Sequence, residues 1–151
     1  MIDTLIFDFD GVILETESPV FMAWQEAVRE HGVDLDRSMW QLNIGIGHGE
    51  MMVYDALEEL TGLKVDRELL EMRTRERSLQ LISETTVLPG VEEYLDVASN
   101  LDFKLGVASS SPRDWVEGHL MDRGLLKWFD VVKCKEDVSR VKPDPTIYRE
   151  A

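Results

Sequence analysis

The stretch Thr4-Leu5-Ile6-Phe7-Asp8-Phe9-Asp10-Gly11 decides the fold of this protein. It opens with a short apolar run, and an apolar run of this length that ends at a turn is typical of a buried β-strand. The Asp10-Gly11 pair supplies the turn, since aspartate and glycine are favoured where the chain changes direction. Asp8 and Asp10 are two residues apart, so in an extended backbone their carboxylates point the same way. We therefore predict a first strand that brings two acids to one site at its carboxyl end.

These two acids have two possible interpretations at this point. In parallel sheets ligands bind beyond the carboxyl ends of the strands, so one carboxylate is a candidate nucleophile and the other a candidate general acid/base. The structural alternative is that Asp8 caps the strand while Asp10-Gly11 only forms a turn. An Asp-x-Asp pair alone does not separate these interpretations.

The rest of the chain alternates helical and strand-like segments. A helical block occupies residues 16–86, with helix starts at Ser18-Pro19 and Asp66, a short helix around residues 37–42 and a glycine-rich loop at residues 44–49. After Pro89-Gly90 come a helix, a strand at residues 103–108, a helix capped by Ser111, a strand at residues 129–132 and a last helix from Asp144-Pro145.

This order predicts an α/β fold in two parts. Residues 1–15 and 87–151 form a Rossmann-like parallel sheet with helices on both faces, because strands and helices alternate there. Residues 16–86 form an inserted four-helix domain, since the block is too long for one crossover connection. The tryptophans lie on or near apolar helical faces and are predicted core residues: Trp24, Trp40, Trp115 and Trp128.

The acidic composition of the chain bears on which kinds of molecule it can bind. Over 151 residues, 16 Lys+Arg against 30 Asp+Glu give a net charge of −14, which disfavours nucleic acid and anionic membranes. No apolar run approaches the ~20 residues that span a bilayer, and Met1 leads into Asp3 without the segments of a signal peptide. The single cysteine, Cys134, cannot form an internal disulfide. We therefore expect a cytoplasmic protein with Cys134 in its core.

Two further polar residues follow the later strands. The Ser109 hydroxyl, the amides of its turn and the next helix N-terminus favour an anion, although a capping cluster around Ser111 explains the serines equally well. Lys142 lies in the segment Val141-Lys142-Pro143-Asp144-Pro145, where prolines restrict the backbone. Its ammonium group would neutralise a phosphoryl group there, and the alternative is a solvated loop lysine.

Together, and in this order, the segments resemble the haloacid dehalogenase superfamily of phosphohydrolases. The resemblance covers the whole chain. It rests on residues 7–17, on Leu88-Pro89-Gly90-Val91, on Ser109 after a strand and on the Lys142-Pro143 segment. Within the superfamily the chain is most similar to the β-phosphoglucomutase-like phosphatases, in which a helical cap is inserted, so residues 16–86 are expected to be that cap.

The resemblance implies a phosphoaspartate mechanism. Asp8 would attack phosphorus, and Asp10 would protonate the leaving alcohol and then activate water. Ser109, Ser110 and Lys142 would bind the phosphoryl oxygens, while Mg²⁺ would be bound by the Asp8 carboxylate and the Asp10 carbonyl. The expected substrate is a small phosphorylated metabolite such as a sugar phosphate.

Several positions depart from the family's pattern and bear on phosphatase against mutase. True β-phosphoglucomutases usually have arginine where this chain has His48, histidine at Val20 and lysine near Pro112. A phosphatase is therefore favoured, with a sugar phosphomutase as the alternative. His48 is then a candidate substrate contact, or else simply an exposed polar loop residue.

The largest departure concerns metal ligands. The family supplies further acids from a Glu-Asp or Asp-Asp motif after a fourth strand, and Glu136-Asp137 precedes Lys142, so it stands in the wrong order. We therefore expect a catalytic core that is incomplete at its C-terminal end. A catalytically incompetent chain that serves as a binding or interaction domain is the alternative from a different class. The oligomeric state is not indicated by the sequence.

Overall fold

The structure is a computed structural model that describes residues 2–37, 40 and 49–151, with the backbone alone for residues 49–52. It divides into two compact units. The first consists of Met1–Glu15 and Thr86–Ala151, and the second of Thr16–Thr85. The elements in chain order are β1 (Thr4–Phe7), α1 (Glu17–Arg29), α2 (Gly49–Thr61), α3 (Arg67–Ser83), α4 (Val91–Asn100), β2 (Lys104–Ala108), α5 (Arg113–Asp122), β3 (Val131–Lys133) and α6 (Thr146–Glu150).

The first unit contains a parallel sheet with the order β1-β2-β3. Thr4 pairs with Lys104 and Gly106 with Val131, so the three strands end at the same edge. The central strand is β2, and its residues from Leu105 to Ala108 are all buried. The predicted α/β class with a parallel sheet is confirmed.

Helices α4, α5 and α6 supply the apolar side chains of the first unit. Leu95 on α4, Leu120 on α5 and Ile147 on α6 are completely buried. Met121 follows Leu120 on α5 but lies on the exposed side of the helix, with 64% exposure. Adjacent residues of an α-helix point about 100° apart, since a turn contains 3.6 residues.

The second unit is built from α1, α2 and α3 within the described residues. Its core contains Trp24, Trp40, Tyr54 and Leu57, and α1 packs against α3. Ion pairs from α3 to α1 flank that packing: Arg77 with Glu26 and Arg73 with Glu30. The core positions predicted for Trp24 and Trp40 are confirmed. The short helix predicted around residues 37–42 lies largely outside the described residues.

Helix starts show which sequence signals were sufficient. The Asp66 carboxylate accepts a hydrogen bond from the Leu69 N–H at 3.1 Å, so the predicted cap of α3 is confirmed. The predicted start of α1 at Ser18 is wrong, because the helix begins at Glu17 after Thr16. The Thr16 carbonyl already accepts from the Val20 N–H. Pro19 is tolerated inside this first turn, where backbone N–H groups have no helical partner.

Cys134 is completely buried, as predicted. Burial raises the pKa of its thiol from 9.0 to about 11. The thiolate fraction at pH 8 is therefore about a hundredfold lower than for an ordinary cysteine. We expect iodoacetamide to label the folded protein at least ~100-fold more slowly than the urea-unfolded chain, measured by intact-mass spectrometry. Equal labelling rates would contradict the burial of this side chain.

No helix in the described ranges combines the length and the apolar character needed to cross a membrane.

Candidate active site

Strand β1 delivers two carboxylates to the edge where the parallel strands end. Asp8 and Asp10 follow β1 directly, and the Phe9 side chain between them is buried, with 1% exposure. Ser109 follows β2, and its N–H donates to the Lys133 carbonyl of β3 at 2.9 Å. Asp8, Asp10 and Ser109 therefore lie at the same edge of the sheet. The sequence predicted this placement, because each of them follows a strand.

The two oxygens of the Asp8 carboxylate have different surroundings. Oδ1 accepts the Phe9 N–H at 2.7 Å and lies 2.7 Å from the Lys142 ammonium nitrogen. The latter contact is a close ion pair that lacks the angle of a directed hydrogen bond. Oδ2 has no hydrogen bond or ion pair within the described part of the chain. Because the Asp8 side chain is 39% exposed, one oxygen is fixed while the carboxylate stays accessible.

The Lys142 side chain is largely buried and lies against an aromatic ring as well as Asp8. This side chain is only 19% exposed, and its ammonium nitrogen lies 5.2 Å from the centre of the Tyr148 ring. A cation over an aromatic face is attracted by the ring quadrupole. The solvated-loop interpretation of Lys142 is therefore wrong, since the ammonium is packed between a carboxylate and an aromatic ring.

The Asp10 carboxylate accepts hydrogen bonds from Ser109 and Ser111, in the turn after β2, and from Trp115, in the first turn of α5. Oδ2 accepts from the Ser111 hydroxyl at 2.6 Å and from the Ser109 hydroxyl at 3.3 Å. Oδ1 accepts from the Trp115 indole N–H at 3.0 Å. Both oxygens are engaged, so the plane of the carboxylate is set.

Ser111 does not cap α5, and the predicted cap is wrong. The N-cap residue is Pro112, which has no side-chain donor or acceptor. The Arg113 N–H is instead bound by both Glu136 carboxylate oxygens, at 3.1 and 3.2 Å. A remote acid thus satisfies the helix terminus, which leaves the Ser111 hydroxyl for Asp10.

Trp115 is the residue that sequence reasoning missed. It was predicted as a core residue from its place on an apolar helix face, yet it is half-buried and its N–H reaches a carboxylate. Ser111 and Trp115 are four residues apart around the start of α5. The available signal was the indole N–H, which usually finds a hydrogen-bond partner when buried.

The serine turn supplies further donors. Ser109 is completely buried, and its hydroxyl oxygen also accepts the Ser111 N–H at 3.1 Å. The Ser110 hydroxyl is buried without a hydrogen-bond partner among the described residues. Buried hydroxyl groups normally have a partner, so this group suits a ligand oxygen. Whether Ser109 and Ser110 bind phosphate stays a prediction.

Two further site predictions concern His48 and the metal ion. His48 lies outside the described residues. Within the described ranges, no group of three or more His, Cys, Asp or Glu side chains is placed to hold a metal ion. The oxygen donors at Asp8 and Asp10 are of the type that Mg²⁺ prefers, and protein Mg²⁺ sites often use only one or two carboxylates together with waters and substrate phosphates. The donor type at this edge therefore fits the ion.

Chemically, the site combines a fixed, accessible carboxylate, a neighbouring cation and a second carboxylate within a hydrogen-bonded cluster. The first is suited to nucleophilic attack, the cation to binding a developing anion and the second to proton transfer. Such an arrangement, at the carboxyl ends of parallel strands where α/β proteins bind their ligands, is typical of hydrolases that act through a covalent intermediate.

Comparison with known proteins agrees with this class. The model of the haloacid dehalogenase-like hydrolase family matches residues 5–151. The chain is 43% identical to the YhcW protein of Bacillus subtilis (strain 168), over 98% of this chain and 67% of the relative. It is 30% identical to the phosphorylated carbohydrates phosphatase of Thermotoga maritima, over 97% of this chain and 67% of that protein. The chain spans about two thirds of the length of these relatives.

A solved structure is similar as well. The crystal structure of β-phosphoglucomutase from Clostridium difficile superposes with a TM-score of 0.70 at 25% identity, covering 99% of this chain and 69% of the other. The chain belongs to the haloacid dehalogenase-like hydrolases. Within that superfamily it falls in the β-phosphoglucomutase-like phosphatase group, as the motifs predicted.

Proposed function

We propose that this protein is an Mg²⁺-dependent phosphatase that hydrolyses a small phosphorylated metabolite through a phosphoaspartate on Asp8. The observation that carries the proposal is that the two oxygens of the Asp8 carboxylate have different contacts. Phe9 N–H and Lys142 fix Oδ1, while Oδ2 has no partner in the described chain. A nucleophile that is oriented through one atom and open at the other is prepared for attack.

The reaction would proceed in two displacements. Asp8 Oδ2 attacks phosphorus, the bond from phosphorus to the ester oxygen breaks, and Asp10 gives its proton to the leaving alcohol. Asp10 then takes a proton from water, whose oxygen attacks the phosphoaspartate and releases inorganic phosphate. The Asp8 carboxylate is restored, so each turnover consumes one water.

Binding of an anion needs local positive charge, because the net charge of −14 opposes it. Lys142 supplies a cation 2.7 Å from the nucleophile. Ser109 and Ser110 supply hydroxyl groups in the adjacent turn, and Ser110 has no hydrogen-bond partner in the described chain. The proposal assigns these three residues to the phosphoryl oxygens.

Mg²⁺ would be held by the Asp8 carboxylate and the Asp10 backbone carbonyl. When bound, the ion would offset charge between two carboxylates and a phosphate dianion. We further propose that residues 16–86 act as a cap over a catalytic core of residues 1–15 and 87–151, with His48 as a substrate contact in that cap. A reducing cytoplasm is the proposed compartment, in keeping with the single buried thiol.

The proposed substrate class is a sugar phosphate, supported by the similarity to a phosphorylated carbohydrates phosphatase. A sugar phosphomutase is the second candidate, and the similarity to a β-phosphoglucomutase structure favours it. The sequence disfavours a mutase, because true β-phosphoglucomutases usually have a lysine near the position of Pro112 and this chain has none there.

The proposal is tested by a screen of phosphate esters with Mg²⁺ and with EDTA. We expect inorganic phosphate release from sugar phosphates that requires Mg²⁺ and returns when Mg²⁺ is added back to the EDTA-treated protein. Conversion of one sugar phosphate isomer to another without phosphate release would identify a mutase instead. Equal turnover with and without Mg²⁺, or no turnover of any ester, would overturn the proposal.

A further inference from the structure

The Asp10 carboxylate accepts hydrogen bonds through both oxygens, and the donors described above differ in how freely they can rotate. Hydroxyl groups of Ser109 and Ser111 can rotate about their C–O bonds and can accept as well as donate. The Trp115 indole N–H cannot rotate and can only donate. At 3.0 Å from Oδ1, it is a donor of fixed direction for that oxygen.

The Trp115 ring is itself fixed by an aromatic contact chain. Trp115 and His119 form a T-shaped pair with the ring centres 4.6 Å apart and the planes at 86°. His119 stacks on Phe9, with 6.1 Å between centres and 8° between planes. Both Phe9 and His119 are buried. Phe9 lies between Asp8 and Asp10 in the chain, so its buried ring links the segment of the two acids, through His119, to the indole.

We propose that Trp115 is a positioning residue for Asp10, holding Oδ1 where it exchanges a proton with the ester oxygen and later with water. The inference rests on the proposed function, since it needs Asp10 as the acid/base. It assigns a role within the reaction to a tryptophan that neither sequence pattern nor hydrophobic packing indicates. A loss of the indole N–H should leave attack by Asp8 intact and impair the steps that use Asp10.

The test is Trp115→Phe, which keeps an aromatic ring and removes the donor. With p-nitrophenyl phosphate the leaving group needs no proton, so single-turnover release of p-nitrophenol should keep its wild-type rate. Steady-state turnover should fall about ten- to a hundredfold, because hydrolysis of the phosphoaspartate still needs Asp10. Trp128→Phe removes an indole elsewhere in the same unit and should leave both rates unchanged.

A structural role for Trp115 predicts something different: both rates, or the active fraction, should fall together. The double variant with Asp10→Asn separates the cases further. If Trp115 acts through Asp10, adding Trp115→Phe to Asp10→Asn should change steady-state turnover less than twofold. A multiplicative loss overturns the inference, and so does wild-type turnover of Trp115→Phe.

The outcomes also separate this inference from the proposed function. If Asp10→Asn itself leaves turnover unchanged, the assigned mechanism fails and the inference with it. If Asp10→Asn is impaired but Trp115→Phe is not, only the inference fails. A readout that needs no turnover is the indole N–H resonance of Trp115, assigned by its loss in Trp115→Phe. It should shift on Asp10→Asn, and an unchanged resonance overturns the contact.

Discussion

Replacing Asp8 by asparagine is expected to reduce phosphate release to the level of a protein-free blank. The amide is nearly isosteric with the carboxylate, but it is not a nucleophile, so the phosphoaspartate cannot form. The fold should be kept, because an amide oxygen still accepts the Phe9 N–H and still attracts the Lys142 ammonium, the two groups that contact Oδ1 in the wild type. Activity and thermal unfolding are measured on the same preparation.

Asp3→Asn is the matched control for this change. Asp3 is an exposed aspartate that precedes β1, whereas Asp8 follows it. The same chemical substitution at the amino end of the strand should leave turnover within about twofold of wild type, since ligands gather at the carboxyl ends. Measurable turnover by a folded Asp8→Asn protein would remove Asp8 from the role of nucleophile.

The second large effect is expected from Asp10→Asn. Turnover of an alkyl phosphate should fall by ~10²–10⁴-fold, the usual contribution of general acid–base catalysis. With p-nitrophenyl phosphate, release of the first equivalent of p-nitrophenol should persist while phosphate release becomes slow. Stopped-flow absorbance and a phosphate assay follow the two products separately, and trapped phosphoprotein is detected by intact mass.

The local geometry explains why this variant should fold. An asparagine oxygen can accept the Trp115 indole N–H, and its amide can donate to the Ser111 hydroxyl, which is able to accept. Asp130→Asn is the control, because the Asp130 carboxylate also accepts hydrogen bonds, from the Leu105 N–H at 3.0 Å and from Lys104. It precedes β3, at the opposite edge from the site. Wild-type turnover of alkyl phosphates by Asp10→Asn would exclude the acid/base role.

The two variants differ in their dependence on the leaving group. Loss of Asp8 should affect every ester equally, because all of them need the same attacking oxygen. Loss of Asp10 should be severe where the leaving oxygen needs a proton and mild where it does not. A leaving-group series therefore distinguishes nucleophile from acid/base without reference to fold stability.

Much of the fold could be predicted from the sequence because its signals are local. The apolar run before Asp8, the Asp66 cap and the breaks at glycine each depend on a few adjacent residues, and the structure places elements close to all of them. Because strands and helices alternate along the chain, their order favours a parallel sheet. Helix starts were less certain, as at Thr16, because several nearby residues can satisfy the first N–H groups.

The sequence by itself determined which acids stand at the end of β1, and that Ser109 and Lys142 follow later strands. Only the tertiary structure decided how these groups meet. Lys142 lies 2.7 Å from an Asp8 oxygen across more than a hundred residues of chain, and Glu136 rather than Ser111 binds the start of α5. The Trp115 contact with Asp10 was likewise hidden. The physical reason is that periodicity reports which side of an element is apolar, whereas the partner of a polar group depends on the distance between elements far apart in sequence.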